Sequence, residues 1–218
     1  MPSLLPTVDP DGLLEYSVVY TDRAVNHMSQ TFQGAMNDIS STLKDVYNAA
    51  SVAIVPGSGT FAMEAVARQF ATNRKCLVIR NGWFSFRWTQ ILDRGGIPSA
   101  AIVLKARRIA DEPQAPFAPA PLEEVVATIH ERRPELVFAP HVETASGMML
   151  PDAYVRAVAE AVHEVGGLFV ARLHRFGRDL GRHEGLRRRR PDQRAAKRVV
   201  GLALLWAGDA GRACALAP

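Results

Sequence analysis

Three short clusters in this chain combine residue types that can do chemistry, and each follows a short aliphatic run. The first is Pro56-Gly57-Ser58-Gly59-Thr60. Glycine lets backbone approach a ligand closely, and the free N–H groups of a helix start favour an anion. Ser58 and Thr60 add hydroxyl donors, although the same residues also suit an ordinary N-cap and turn. The spacing is neither that of a lysine-bearing nucleotide loop nor a full dinucleotide fingerprint. The second cluster is Arg80-Asn81-Gly82-Trp83-Phe84-Ser85-Phe86-Arg87-Trp88. Aromatic rings beyond a strand's carboxyl end stand where α/β proteins bind ligands and can stack on a flat one. Packing of the next helix is the plainer role for Trp83, Phe86 and Trp88. The third is Pro140-His141-Val142-Glu143-Thr144-Ala145-Ser146-Gly147, which puts an imidazole, a carboxylate and two hydroxyls in one loop. His141 by itself suits a structural role, and His130 and His163 lie on amphipathic helical patterns and read as solvated.

The elements that position these clusters alternate in kind. Met28, Phe32, Met36, Ile39, Leu43, Val46 and Tyr47 recur at helical spacing, predicting one long helix over 28–49. Residues 51–56 read as a buried strand, 60–72 as a helix, 76–79 as a strand and 83–93 as a helix closed by Gly95 and Gly96. A third strand is expected at 101–104. Residues 112–121 are so rich in proline that an exposed loop without regular structure is expected. A helix at 122–132, a strand at 136–139, a helix at 152–165 and a strand at 168–170 follow. This alternation predicts a three-layer α/β fold, a mostly parallel sheet with helices on both faces. The three clusters would then meet in one cleft at the strands' carboxyl ends.

Composition narrows the classes of function. At 218 residues and 48% hydrophobic, the chain can bury a core. No apolar run reaches the roughly 18–20 residues that span a bilayer, and residues 1–12 lack the pattern of a signal peptide. Cys76 and Cys214 offer neither a disulfide framework nor a metal spacing, so no metal is expected and a reducing cytoplasm is the expected location. The net charge of +4 conceals a break: residues 1–170 carry 14 Lys and Arg against 18 Asp and Glu, whereas residues 171–218 carry 12 against 4, with 11 of the 12 being arginine.

In order, spacing and flanks, these clusters resemble the class V aminotransferases, pyridoxal-phosphate enzymes of fold type I, and especially their alanine–glyoxylate and serine–pyruvate branch. The resemblance covers roughly residues 10–170. It rests on Gly57-Ser58-Gly59-Thr60-Phe61-Ala62-Met63-Glu64-Ala65, Asn81-Gly82-Trp83-Phe84 and His141-Val142-Glu143-Thr144-Ala145-Ser146-Gly147. It implies pyridoxal 5′-phosphate as cofactor, with Ser58, Gly59 and Thr60 on its phosphate, Phe84 stacked on its ring and Thr144 near the ring. It places His27 in a segment bordering the active site. It also implies a homodimer that moves an amino group between a small amino acid, alanine or serine, and a 2-oxo acid, glyoxylate or pyruvate.

The resemblance ends after residue 170, which sets the expected domains: 1–170 as part of the large domain of such an enzyme, and 171–218 as an arginine-rich tail foreign to it. The family has an aspartate there that pairs with the pyridine nitrogen; this chain has Ala171-Arg172-Leu173, and a cation opposes the pyridinium that a carboxylate supports. Back-translated and read one nucleotide later, the codons from Arg172 permit Asp-Cys-Ile-Ala-Ser-Gly-Ala-Ile-Trp-Val-Asp-Met-Lys-Ala. Those across residues 190–199 permit Val-Leu-Ile-Ser-Ala-Pro-Gln-Lys-Gly-Trp. The first restores the family's aspartate and the second its lysine loop, so the tail reads as the same gene out of frame. Lys197 does not stand in such a loop, so no in-frame residue is assigned as the catalytic lysine, and this chain is expected to be truncated and inactive. The tail is expected to pack loosely, with at most a helix near 194–206. A different class of function stays open on composition, an α/β domain whose basic tail binds a polyanion. Against nucleic acid stand a lone pair of tail aromatics, Phe176 and Trp206, and no recognised binding motif. A class V desulfurase or lyase is a further alternative, but no cysteine stands in a matching loop.

Overall fold

The computed structural model describes residues 30–47, 49–173, 202–206 and 213–217. The chain divides into two units, residues 1–49 and 50–218. In the first, the helical spacing is realised as α1, Gln30–Tyr47. His27 lies outside the described residues.

The second unit is built on a seven-stranded sheet. In chain order its elements are β1 (Ala49–Ile54), α2 (Gly59–Phe70), β2 (Lys75–Arg80), α3 (Trp83–Gly95), β3 (Ala100–Lys105), β4 (Arg107–Arg108), β5 (Phe117–Ala118), α4 (Leu122–Arg132), β6 (Leu136–Pro140), β7 (Val142–Glu143), β8 (Met148–Met149), α5 (Asp152–Glu164), β9 (Leu168–Leu173), β10 (Leu202–Trp206) and β11 (Ala213–Ala217). The order across the sheet is β1-β11-β10-β9-β6-β2-β3. β3, β2, β6 and β9 are parallel neighbours, whereas β10 runs antiparallel to both β9 and β11.

Successive strand residues point to opposite faces, and here each face has its own core. Cys76, Val78, Leu136, Phe138 and Val170 pack with Met63, Val66, Ala67, Trp88 and Leu92 of α2 and α3. Leu77, Ile79, Val137, Ala139 and Phe169 pack with Val125 and Ile129 of α4 and Tyr154, Val158 and Val162 of α5. Burial on both faces explains why β2 and β6 read as unbroken apolar runs. It also confirms the expected three-layer α/β arrangement.

Two expectations are corrected. The proline-rich stretch contains β5, paired with β4. Phe117 and Ala118 both keep an N–H, and Pro116 contributes the group it retains, its carbonyl, to Ile109 N–H at 3.0 Å. Residues 202–206, placed in a possible helix, form strand β10 instead. A short run such as Leu-Ala-Leu-Leu-Trp carries no helical period, and pairing along β9 satisfies an otherwise open sheet edge. Apart from β10 and β11, residues 174–218, including Lys197, lie outside the described residues.

Candidate active site

Three adjacent parallel strands bring the site together. α3 starts two residues beyond β2, the 141–147 loop follows β6, and Arg172 of β9 is in register with Pro140 of β6. The loop folds back as a hairpin of the two-residue strands β7 and β8, pinned by Leu150 N–H donating to the His141 carbonyl at 2.8 Å. His141 N–H in turn donates to the Arg172 carbonyl at 2.9 Å.

The centre of the arrangement is the buried Glu143 carboxylate. Its Oε1 accepts the Phe84 N–H at 3.0 Å, and its Oε2 accepts the Ser85 N–H at 2.8 Å and the Ser85 hydroxyl at 2.7 Å. Ser85 Oγ itself accepts the N–H groups of Asn81 at 2.8 Å and Gly82 at 3.0 Å. A helix start leaves its first N–H groups unsatisfied and carries partial positive charge, so a carboxylate is the favoured cap. Here that cap comes from a distant part of the chain, and it leaves no room for a side chain at residue 82. A Cβ on Gly82 would lie 2.6 Å from Glu143 Cγ. Gly82 has φ 172°, ordinary extended backbone, so the glycine is required by this close approach. Ser146 Oγ adds a bond to the Asn81 carbonyl at 3.1 Å. The second and third clusters of the sequence are thus two halves of one interlocked unit.

Phe84 sits on this unit with the Arg172 guanidinium 5.0 Å from its ring centroid. Arg172 is 7% exposed, and its Nη1 has no hydrogen-bond partner. Burial lowers its pKa; the Glu143 carboxylate opposes that shift and Arg87 adds to it. Thr144 is exposed in the 144–147 turn.

The first cluster stands at the start of α2. Ser58 occupies the N-cap position with no side-chain capping bond. Its carbonyl accepts the Phe61 N–H at 2.9 Å. Gly57 has φ +123°, a conformation open to glycine, and a Cβ added there would meet the Phe61 ring at 3.0 Å. The structure thus joins Phe84 to the 141–147 loop. Sequence reading missed the role of Glu143, whose partners lie 58 and 59 residues away. It also missed the Arg172–Phe84 contact, because residue 172 lay beyond the strand expected to end at 170.

No family model matches the chain. The chain is 30% identical over 152 residues to the L-aspartate–glyoxylate aminotransferase of Paracoccus denitrificans (strain Pd 1222), a match covering 67% of this chain and 36% of that protein. The chain thus spans about a third of the length of the curated relative it matches. Its fold is similar to that of the ureidoglycine–glyoxylate aminotransferase of Bacillus subtilis, with a TM-score of 0.53 and 19% identity over 69% of this chain and 42% of that one. It is likewise similar to the alanine–glyoxylate aminotransferase of Nostoc sp., with a TM-score of 0.52 and 21% identity over 69% of this chain and 43% of that one. By sequence and by fold, the chain is a relative of the pyridoxal-phosphate aminotransferases and carries part of their fold.

Proposed function

We propose that the chain is part of a class V, fold-type I aminotransferase. That enzyme transfers an amino group between alanine or serine and glyoxylate or pyruvate, as a cytoplasmic homodimer, and the 218-residue chain itself is inactive. The observation that carries the reading is the Gly82–Glu143 interlock. It fastens the Asn81–Phe84 and His141–Gly147 motifs to each other at the carboxyl ends of neighbouring strands, where α/β folds bind ligands.

The residues present suit one end of pyridoxal phosphate and oppose the other. The α2 start, with its uncapped Ser58 hydroxyl and its Thr60, suits a phosphate. Beside Phe84 stands a buried guanidinium with an unused N–H, a poor neighbour for a protonated pyridine nitrogen. Of the lysines in the described residues, Lys44 is on α1, Lys75 Nζ donates to the Arg132 carbonyl at the amino end of β2, and Lys105 closes β3 at the sheet edge. None of them stands in a loop like the family's lysine loop, so none is assigned the covalent attachment that pyridoxal-phosphate chemistry needs. The site therefore supports phosphate docking without turnover, and we assign 171–218 to an out-of-frame reading of the gene.

The test is to titrate the purified chain with pyridoxal phosphate, reduce with borohydride and map the labelled peptides. Weak phosphate-dependent binding is expected, abolished in a Ser58→Ala/Thr60→Ala double variant, with no stoichiometric label and no amino transfer from alanine to glyoxylate. Stoichiometric label on Lys197 together with turnover would overturn the reading.

A further inference from the structure

We propose that the cleft at the carboxyl ends of β2 and β3 binds a planar aromatic anion bearing a ring-borne amine, at a place separate from the α2 start and independent of the reading above. The register of the two parallel strands pairs Arg80 with Lys105, so two basic residues stand side by side on strands about 4.8 Å apart. Among the described residues neither has an ion-pair partner, although the nearby Arg107 is paired with Glu124 and Arg74 with Glu135. Like charges left side by side repel, and an anion between them removes the repulsion.

The cleft has a volume of about 330 Å³ and no carboxylate in its lining, which is the size of a small-molecule site. Its walls are aromatic. Trp83 and Phe117 are 55% and 53% exposed, a poor use of large apolar rings unless something covers them. Phe86 packs at 5.8 Å from Trp83 and lies under the Arg80 guanidinium at 5.1 Å. That contact holds Arg80 at the cleft without neutralising it.

Asn81 supplies the third element. It lines the cleft and is only 4% exposed. Its backbone is fully committed, N–H to Ser85 Oγ and carbonyl to Ser146 Oγ, but its side-chain Oδ1 is buried with no partner. A buried acceptor without a donor is costly, and turning the side-chain amide towards a ligand N–H in the cleft meets the need. The rings stack the ligand, Arg80 and Lys105 take its anionic group, and Asn81 takes its amine.

An aryl carboxylate and a nucleotide phosphate share this chemistry, so the full chain is titrated with 4-aminobenzoate and with AMP, following tryptophan emission. Saturable one-to-one binding of at least one probe is expected, and which one binds identifies the anion. Benzoate, lacking the amine, and adenosine, lacking the anion, should each bind about tenfold more weakly than their parents. Lys105→Gln, at an exposed position, should weaken the bound probe about tenfold and leave pyridoxal phosphate binding unchanged, whereas Ser58→Ala/Thr60→Ala should do the reverse. Phe117→Ala, also exposed, provides a second variant whose fold is checked by circular dichroism. The proposal is overturned if neither probe saturates, if the analogues bind as well as their parents, or if folded Lys105→Gln and Phe117→Ala bind like the unaltered chain.

Discussion

Glu143 accounts for more of the site's geometry than any other described side chain, because one carboxylate terminates α3 and fixes the 141–147 loop. Glu143→Gln keeps the shape and removes the charge, turning one acceptor oxygen into a donor that faces backbone N–H groups. The expected loss is about 1–3 kcal/mol in denaturant unfolding, and an unchanged midpoint would show that the three bonds contribute nothing net. Arg172 should behave oppositely. Its burial with an unpaired Nη1 is a cost, and Arg172→Met fills similar space without the charge, so neutral or increased stability is expected; a clear loss of stability would contradict that account. Cys76 gives a pH dependence of known sign. Burial, assisted by Glu135 and opposed by Arg74, raises its thiol from 9.0 to about 12. Burial, assisted by Glu124 and Glu123, raises the Tyr154 phenol from 10.0 to about 12. Below pH 9 both folded and unfolded chains keep these protons, and the stabilisation is intact. As pH rises from 9 towards 12 the unfolded groups ionise first, so stability falls. Unfolding midpoints measured across that range should decline, and Cys76→Ala should flatten the first part of the decline.

At the scale of elements, the sequence carried the helices and the longer strands of 50–170 because each obeys a local rule, but not the two-residue strands β4, β5, β7 and β8. β2 and β6 are unbroken apolar runs bounded by turns, and α4 appears with the expected boundaries because Leu122, Val125, Val126 and Ile129 keep one period to a charged end. What local rules cannot carry is the pairing of elements. Nothing near Gly82 in the chain announces that a carboxylate 61 positions later will occupy the space of its missing side chain, so two motifs that read as separate ligand loops turned out to be one structural joint. The same limit applies to β10, where an apolar pentapeptide has no intrinsic preference and its strand form is fixed by the neighbour it meets. Gly82→Ala tests the joint at this scale. With no φ strain involved, its cost is wholly the 2.6 Å contact with Glu143. It should destabilise the chain by about 1–3 kcal/mol. Combined with Glu143→Ala, which empties the same space, it should cost clearly less than the sum of the two single changes. Strict additivity would mean that the contact is relieved elsewhere.

At the scale of the whole molecule, two facts have to be reconciled: a coherent three-layer core through 170, and an arginine-rich continuation that puts a cation beside the aromatic ring at the site. The proposed frame change between Val170 and Arg172 would reconcile them, because one inserted or deleted nucleotide would account at once for the charge break and for the absence of the family's aspartate and lysine loop, whereas independent substitutions would have to produce each of them separately. The two explanations predict different rescues. If Arg172 were a point change in an otherwise sound enzyme, Arg172→Asp would restore amino transfer from alanine or serine to glyoxylate. On the frame explanation Arg172→Asp yields none, because the lysine loop is still absent and a carboxylate cannot replace a nucleophile. Restoring the frame at the codon after Val170 should instead yield both turnover and stoichiometric borohydride-fixed cofactor, with the label on a lysine encoded only in the restored frame. The restored chain should also lose the basic excess of 171–218, visible as a fall in isoelectric point from about 9.4. Turnover in the Arg172→Asp chain, or a restored-frame protein that folds and retains cofactor yet carries no label, would refute the frame explanation and leave the tail as a true part of this protein.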